Sequence, residues 1–140
     1  MKVHLSLATS DLAASVAFYS ALLDREPTKV LPDYALFVAE DPGIELALAL
    51  TDRVGPAGDA HFGICATSPE DVERAILRLS ERGLATSIER NHTCCYAKQT
   101  KVWTSDPQGR RWEVYAVLEE SPAQNDTAEG CCAEPCGCAA

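Results

Sequence analysis

Cationic residues are scarce in this sequence. Twelve Lys and Arg stand against twenty-one Asp and Glu, for a net charge of −9. Nucleic acids and anionic membranes draw proteins in through a cationic face, so neither is an expected partner. Long apolar runs are missing too. None reaches the roughly 18 residues that suggest a membrane span. The opening MKVHLSLATSDLAAS lacks a charged region ahead of a long apolar core, so it reads as a first strand rather than a secretion signal. The expected compartment is therefore the cytoplasm. A chain of 140 residues, 46% of them hydrophobic, suits one compact domain with a real core.

Cysteine, by contrast, is abundant: there are seven. Structural disulfides are not expected in a reducing compartment, so metal, metalloid or redox chemistry gains weight. Cys65 is isolated, Cys94 and Cys95 are adjacent, and Cys131, Cys132, Cys136 and Cys138 fall in the last ten residues.

Residues 1–118 read as two similar halves, with modules at about 2–51 and 60–118. In the first, residues 3–8 alternate as a strand does, and Ser10 or Asp11 can cap a helix running to about Leu23. That helix would bury Leu12, Val16, Tyr19 and Leu23. Strand candidates follow at 28–31, 34–39 and 44–50, with Pro32-Asp33 and Asp41-Pro42-Gly43 as turns. The second half opens with a strand at 61–66. Ser68-Pro69-Glu70-Asp71 then starts a helix that buries Val72, Ala75, Ile76 and Leu79 and stops at Gly83. Strands are expected near 85–89, 95–105 and 112–117, with a turn at Asp106-Pro107-Gln108-Gly109.

The order is βαβββ twice, joined by the polar linker 52–59. Ala-Thr-Ser recurs at 8–10 and 66–68, although aligning these triplets leaves His4 and His61 one residue out of step. Residues 119–140 have almost nothing to bury and are expected to be a flexible, cysteine-rich tail.

Three polar residues sit on strand faces turned away from the larger apolar side chains: His4 among Val3, Leu5 and Leu7, His61 beside Phe62 and Ile64, and Glu113 between Trp112 and Val114. Two histidines and one carboxylate form the facial set favoured by non-haem iron(II), which leaves positions open for oxygen and substrate. Spacing alone keeps a second reading alive, in which the three are unrelated polar residues on solvated faces. Cys94 and Cys95 would point to opposite sides of an extended strand, so binding one atom together requires a turn or loop, with which Asn91 and Thr93 are compatible. Thiolates are soft ligands for Cd(II), Zn(II), Cu(I) or trivalent arsenic.

The segments DLAASVAFYSALL and SDPQGRRWEVYAV, with the paired βαβββ order, resemble the α+β vicinal-oxygen-chelate fold over about residues 2–118. That superfamily includes glyoxalase I, extradiol dioxygenases, fosfomycin-modifying enzymes and bleomycin-binding proteins. The stretch NHTCCYAKQTKVWTSDPQGRRWEVYAVL resembles more narrowly the carbon–arsenic lyases and the related cadmium-inducible proteins.

The resemblance implies paired modules forming a curved mixed sheet around a metal cavity. It implies iron(II) on His4, His61 and Glu113, dioxygen as co-substrate, and a trivalent organoarsenical held by Cys94 and Cys95. Cleavage of the C–As bond would release arsenite. Each half offers too few ligands alone, so the site is expected to combine both, within one chain or across a homodimer. Glu45 is a candidate fourth ligand, though an ordinary strand carboxylate is the simpler reading. His92 reads as a solvated loop residue. Lys98 and Lys101 read as solvated strand charges, with an alternative role in favouring thiolates or an anionic oxygen. Tyr96 and Tyr115 are candidate pocket residues, and Cys65 a small core residue. The four tail cysteines are an accessory soft-metal cluster. Two other functions remain open: a glyoxalase-like isomerase or thiol transferase, and a cadmium- or arsenic-sequestering protein.

Overall fold

The computed structural model describes residues 1–94 and 96–122. The order of elements is β1 (Val3–Thr9), α1 (Leu12–Leu23), β2 (Lys29–Leu31), β3 (Tyr34–Ala39), β4 (Ile44–Leu50), β5 (His61–Cys65), α2 (Pro69–Glu81), β6 (Ala85–Cys94), β7 (Ala97–Ser105) and β8 (Arg111–Glu120). This is βαβββ twice, an α+β arrangement. The strands form two mixed four-stranded sheets, β1-β4-β3-β2 and β5-β8-β7-β6. In each, the first strand runs parallel to the last and the remaining pairs are antiparallel.

Two compact units result: Met1–Ala57 with Asp106–Gly109, and Gly58–Ser105 with the described residues from Arg110. In the first, α1 packs on β3 and β4. Asp11 caps the helix, its carboxylate accepting from the Ala14 amide at 2.9 Å. Alternate residues of β3 (Ala35, Phe37 and Ala39) are buried with Leu46 and Leu48 of β4, as the period of a half-buried strand requires. The buried face of α1 carries Ser15, Phe18, Tyr19 and Leu22 as well as Leu23, whereas Leu12 and Val16 are only half-buried. The expected stripe is thus rotated. α1 is apolar on most sides, so its own periodicity does not choose a face and packing against the sheet does. Tyr19 keeps its hydroxyl satisfied by donating to Asp106 at 2.7 Å, as a buried phenol must.

In the second unit α2 packs on β6, β7 and β8. Val72, Ala75, Ile76 and Leu79 are the buried stripe, as expected. Ser68 accepts from the Asp71 amide at 3.2 Å and donates to the Asp71 carboxylate at 2.9 Å. The cap satisfies the Asp71 amide, one of the donors that the first turn leaves free, and the Asp71 carboxylate holds the Ser68 hydroxyl in place.

Two strands are longer than the sequence implies. β6 continues past Glu89 to Cys94, and β8 continues past Val117 to Glu120. The extra length is closed by ladder pairs Cys94↔Ala97, Lys98↔Glu119 and Ala97↔Glu120. Among the described residues no helix is long and apolar enough to cross a membrane. Cys131, Cys132, Cys136 and Cys138 lie outside the described residues, as does Cys95.

Candidate metal centre and cysteine pair

Register places the polar side chains of the second unit in rows. On the parallel β5–β8 ladder His61 faces Arg111, Gly63 faces Glu113 and Cys65 faces Tyr115. On the β7–β8 ladder Trp103 faces Glu113 and Lys101 faces Tyr115. Paired residues project to the same side of a sheet, so these side chains share one face.

Glu113 is central to that face. Its Oε1 lies 3.6 Å from His61 Nε2, and its Oε2 accepts a 2.9 Å hydrogen bond from the Lys101 ammonium. Both members of the Lys101–Glu113 pair are buried. Burying two charges is costly, and the pair persists because each supplies the other's missing solvation; removing one partner of such a pair costs about 3–5 kcal/mol. The rings of Trp103 and Tyr115 lie 5.4 Å and 5.9 Å from Lys101 Nζ. Trp103 also takes the edge of His61 at 5.2 Å and the Arg111 guanidinium at 4.5 Å, and its indole N–H donates to Glu89 at 3.2 Å. Arg111 and Glu89 thus hold Trp103, and Trp103 packs against the His61 ring.

Gly63 gives the carboxylate its room. A Cβ there would stand 3.1 Å from Tyr115 Cε1 and 3.3 Å from Glu113 Oε1. Beside it, burial first and the Cys65 thiol second raise the Tyr115 phenol above its usual value of 10.0. Tyr115 therefore stays a neutral hydroxyl at physiological pH.

In the first unit His4 pairs in register with Glu45, and His4 Nδ1 lies 3.1 Å from Glu45 Oε1. With Nδ1 engaged by a carboxylate, Nε2 is the nitrogen left for a metal. Of the three expected iron ligands, then, His61 and Glu113 are side by side, and His4 is in the other unit with Glu45. Among the described residues no group of three or more His, Cys, Asp or Glu is close enough to hold a metal ion. The two pairs still fit a borderline divalent metal by chemistry, each offering imidazole nitrogen and carboxylate oxygen.

Cys94 is the buried last residue of β6, and Ala97 opposite it starts β7. Tyr96 between them has a left-handed backbone, with φ 63°. The hairpin is tied by Gln99, whose side-chain amide donates to the Cys94 carbonyl at 3.1 Å, and by the Ser121 amide donating to the Tyr96 carbonyl at 2.7 Å. Asn91 and Thr93 therefore lie within β6 rather than in a loop. Cys94 is disulfide-bonded, whereas Cys65 is a free, exposed thiol.

Other candidates are placed differently from expectation. His92 is half-buried on β6 rather than in a solvated loop. Lys98 pairs with Glu119 at 3.2 Å, and Lys101 is buried rather than solvated. Tyr96 is exposed. Gly63, Trp103 and Arg111 were not singled out from the sequence. The alternation of Lys101 and Trp103 in QTKVWTS, in phase with Glu113 and Tyr115, is the signal that points to this face.

Residues 3–114 match the model of the Glyoxalase/Bleomycin resistance protein/Dioxygenase superfamily. This chain belongs to that superfamily. A cadmium-induced protein, CadI, of Mycobacterium tuberculosis is 43% identical, over 94% of this chain and 92% of the relative. A trivalent organoarsenical cleaving enzyme of Bacillus sp. strain MD1 is 41% identical, over 92% of this chain and 81% of the relative. A solved superfamily member, a glyoxalase/bleomycin resistance protein/dioxygenase from Alicyclobacillus acidocaldarius, matches with TM-score 0.68 at 19% identity, covering 85% of this chain and 92% of that one. At that identity the likeness is one of fold.

Proposed function

We propose that this superfamily member is a cytoplasmic non-haem iron(II) enzyme that uses dioxygen to cleave the C–As bond of trivalent organoarsenicals such as methylarsenite, releasing arsenite and an organic fragment oxidised by the dioxygen. The observation that carries this reading is the buried Cys94 at the end of β6, in the same sheet as the His61–Glu113 pair and followed directly in sequence by a second cysteine. The relative named a trivalent organoarsenical cleaving enzyme supports it.

His4, His61 and Glu113 would hold the metal. Bound iron(II) would supply the activation of dioxygen. The reduced thiolates of Cys94 and Cys95 would take up the arsenical by exchange for its oxygen ligands, because trivalent arsenic prefers soft sulfur donors. Two sulfur anchors orient the remaining carbon substituent. Trp103, itself covered by the Arg111 guanidinium, packs against the His61 ring, and Tyr115 beside Cys65 stays a neutral hydroxyl.

The second reading is a protein that sequesters cadmium or arsenic. It draws support from the relative named cadmium-induced protein CadI and from the four tail cysteines. Aerobic release of arsenite from methylarsenite separates the two, since a sequestering protein binds the arsenical and leaves its carbon in place.

A further inference from the structure

The two oxygens of Glu113 have different neighbours. Oε2 is engaged by the Lys101 ammonium at 2.9 Å, and Oε1 faces His61 Nε2 at 3.6 Å across the space that Gly63 leaves open. A carboxylate can give a metal one oxygen or both, and giving both consumes a position otherwise open. We propose that Lys101 is a positioning residue that withholds Oε2, so that Glu113 ligates the metal through Oε1 alone. This rests on the reading of His61 and Glu113 as metal ligands.

The surroundings of Lys101 argue for a fixed role. Its side chain is 4% exposed, so the ammonium has no solvated alternative position. The faces of Trp103 and Tyr115 flank it, and register opposite Tyr115 on β8 sets its height along the strand. Simple charge balance would be served by a solvated lysine at the rim. A buried one costs desolvation and is retained where geometry matters.

The inference predicts a sign. An ion pair that merely supports the fold would, once broken, loosen Glu113 and weaken metal binding. If Lys101 withholds Oε2, removing it frees a second ligand atom and removes a cation that repels the metal. Metal binding should then tighten.

The test uses the reduced full chain and Co(II) as a spectroscopic probe, with affinity measured by chelator competition. Lys101→Met should bind Co(II) at least about tenfold more tightly than wild type, because a like charge a few ångströms from the metal is gone. Its visible Co(II) bands should change in position and intensity as the coordination changes. Co(II) should raise its melting temperature by more than it raises that of wild type, because the metal replaces the lost counter-charge. Lys101→Arg should retain the wild-type affinity and spectrum. Should metal-free Lys101→Met fail to fold, Lys101→Gln carries the same prediction. Co(II) binding that is unchanged or weaker, with the wild-type spectrum, in a folded variant would overturn the proposal. His61→Ala is the control: if it binds Co(II) like wild type, the metal-ligand reading itself fails, which is a separate outcome.

Discussion

Gly63 stands opposite Glu113 on the parallel β5–β8 ladder, and a Cβ at Gly63 would reach within 3.3 Å of Glu113 Oε1. The carboxylate oxygen nearest His61 thus depends on a residue with no side chain. Gly63→Val should displace that oxygen and weaken Fe(II) or Co(II) binding by about 10–100-fold, the range typical when a ligand's support is lost. The added side chain also crowds Tyr115 and the buried Glu113, so the melting temperature should fall as well. Metal titration beside thermal melting checks both halves of the expectation.

The start of α2 should matter to stability and not to chemistry. Ser68→Ala removes the cap and should cost about 1 kcal/mol with metal binding intact. The Thr67 hydroxyl first, and then that of Ser68, hold the Asp71 carboxyl below its usual value of 3.8. A depressed carboxylate contributes stability that is full above the usual value and is lost as pH falls through the folded-state value. The melting-temperature gap between wild type and Asp71→Asn should therefore narrow as pH drops below 3.8. A gap that widens on acidification would reverse the sign.

The cysteine pair should separate arsenic binding from iron binding. Cys94→Ser and Cys95→Ser should each lose phenylarsenite and keep Fe(II), because a hydroxyl is a poor soft-metal ligand. Cys94 is disulfide-bonded in the structure, so wild type should bind phenylarsenite only after reduction. Titration with and without prior thiol treatment checks this. Wild-type-like binding by both serine variants would make the pair structural.

The tail should be separable from catalysis. β8 pairs through Glu120 and the Ser121 amide bonds to Tyr96, so the cut belongs after Pro122 rather than after Leu118. The shortened chain should fold and turn over. It should lose part of its arsenical or cadmium capacity, since four clustered thiols raise one another's effective concentration. Metalloid stoichiometry and single-turnover rate measure the two effects. Unchanged stoichiometry would make the tail thiols incidental.

Periodic, apolar elements were readable from the sequence because their patterns are local. The stripe of α2 and the alternation of β3 belong to this class. Elements decided by distant partners were not. The polar run Glu89 to Cys94 reads as loop, yet it is strand because β7 completes its hydrogen bonds. It does so with a register shift between Glu89 and His92 and a positive φ at Asn91. Lys101 reads as solvated on residue type alone, and a carboxylate twelve positions away, Glu113, keeps it buried. In the site, strand alternation put His61 and Glu113 on the faces turned from the core. Only the β5–β8 register shows them beside each other, with Gly63 opening the space.

The central claim is tested most directly by one assay. Reduced, iron(II)-reconstituted protein is incubated with methylarsenite in air, and arsenic species are quantified over time beside an anaerobic sample and His61→Ala. The account predicts arsenite appearing in multiple turnovers with air, and none in either control. Methylarsenite that stays bound and unchanged in air, with the iron site filled, would contradict it.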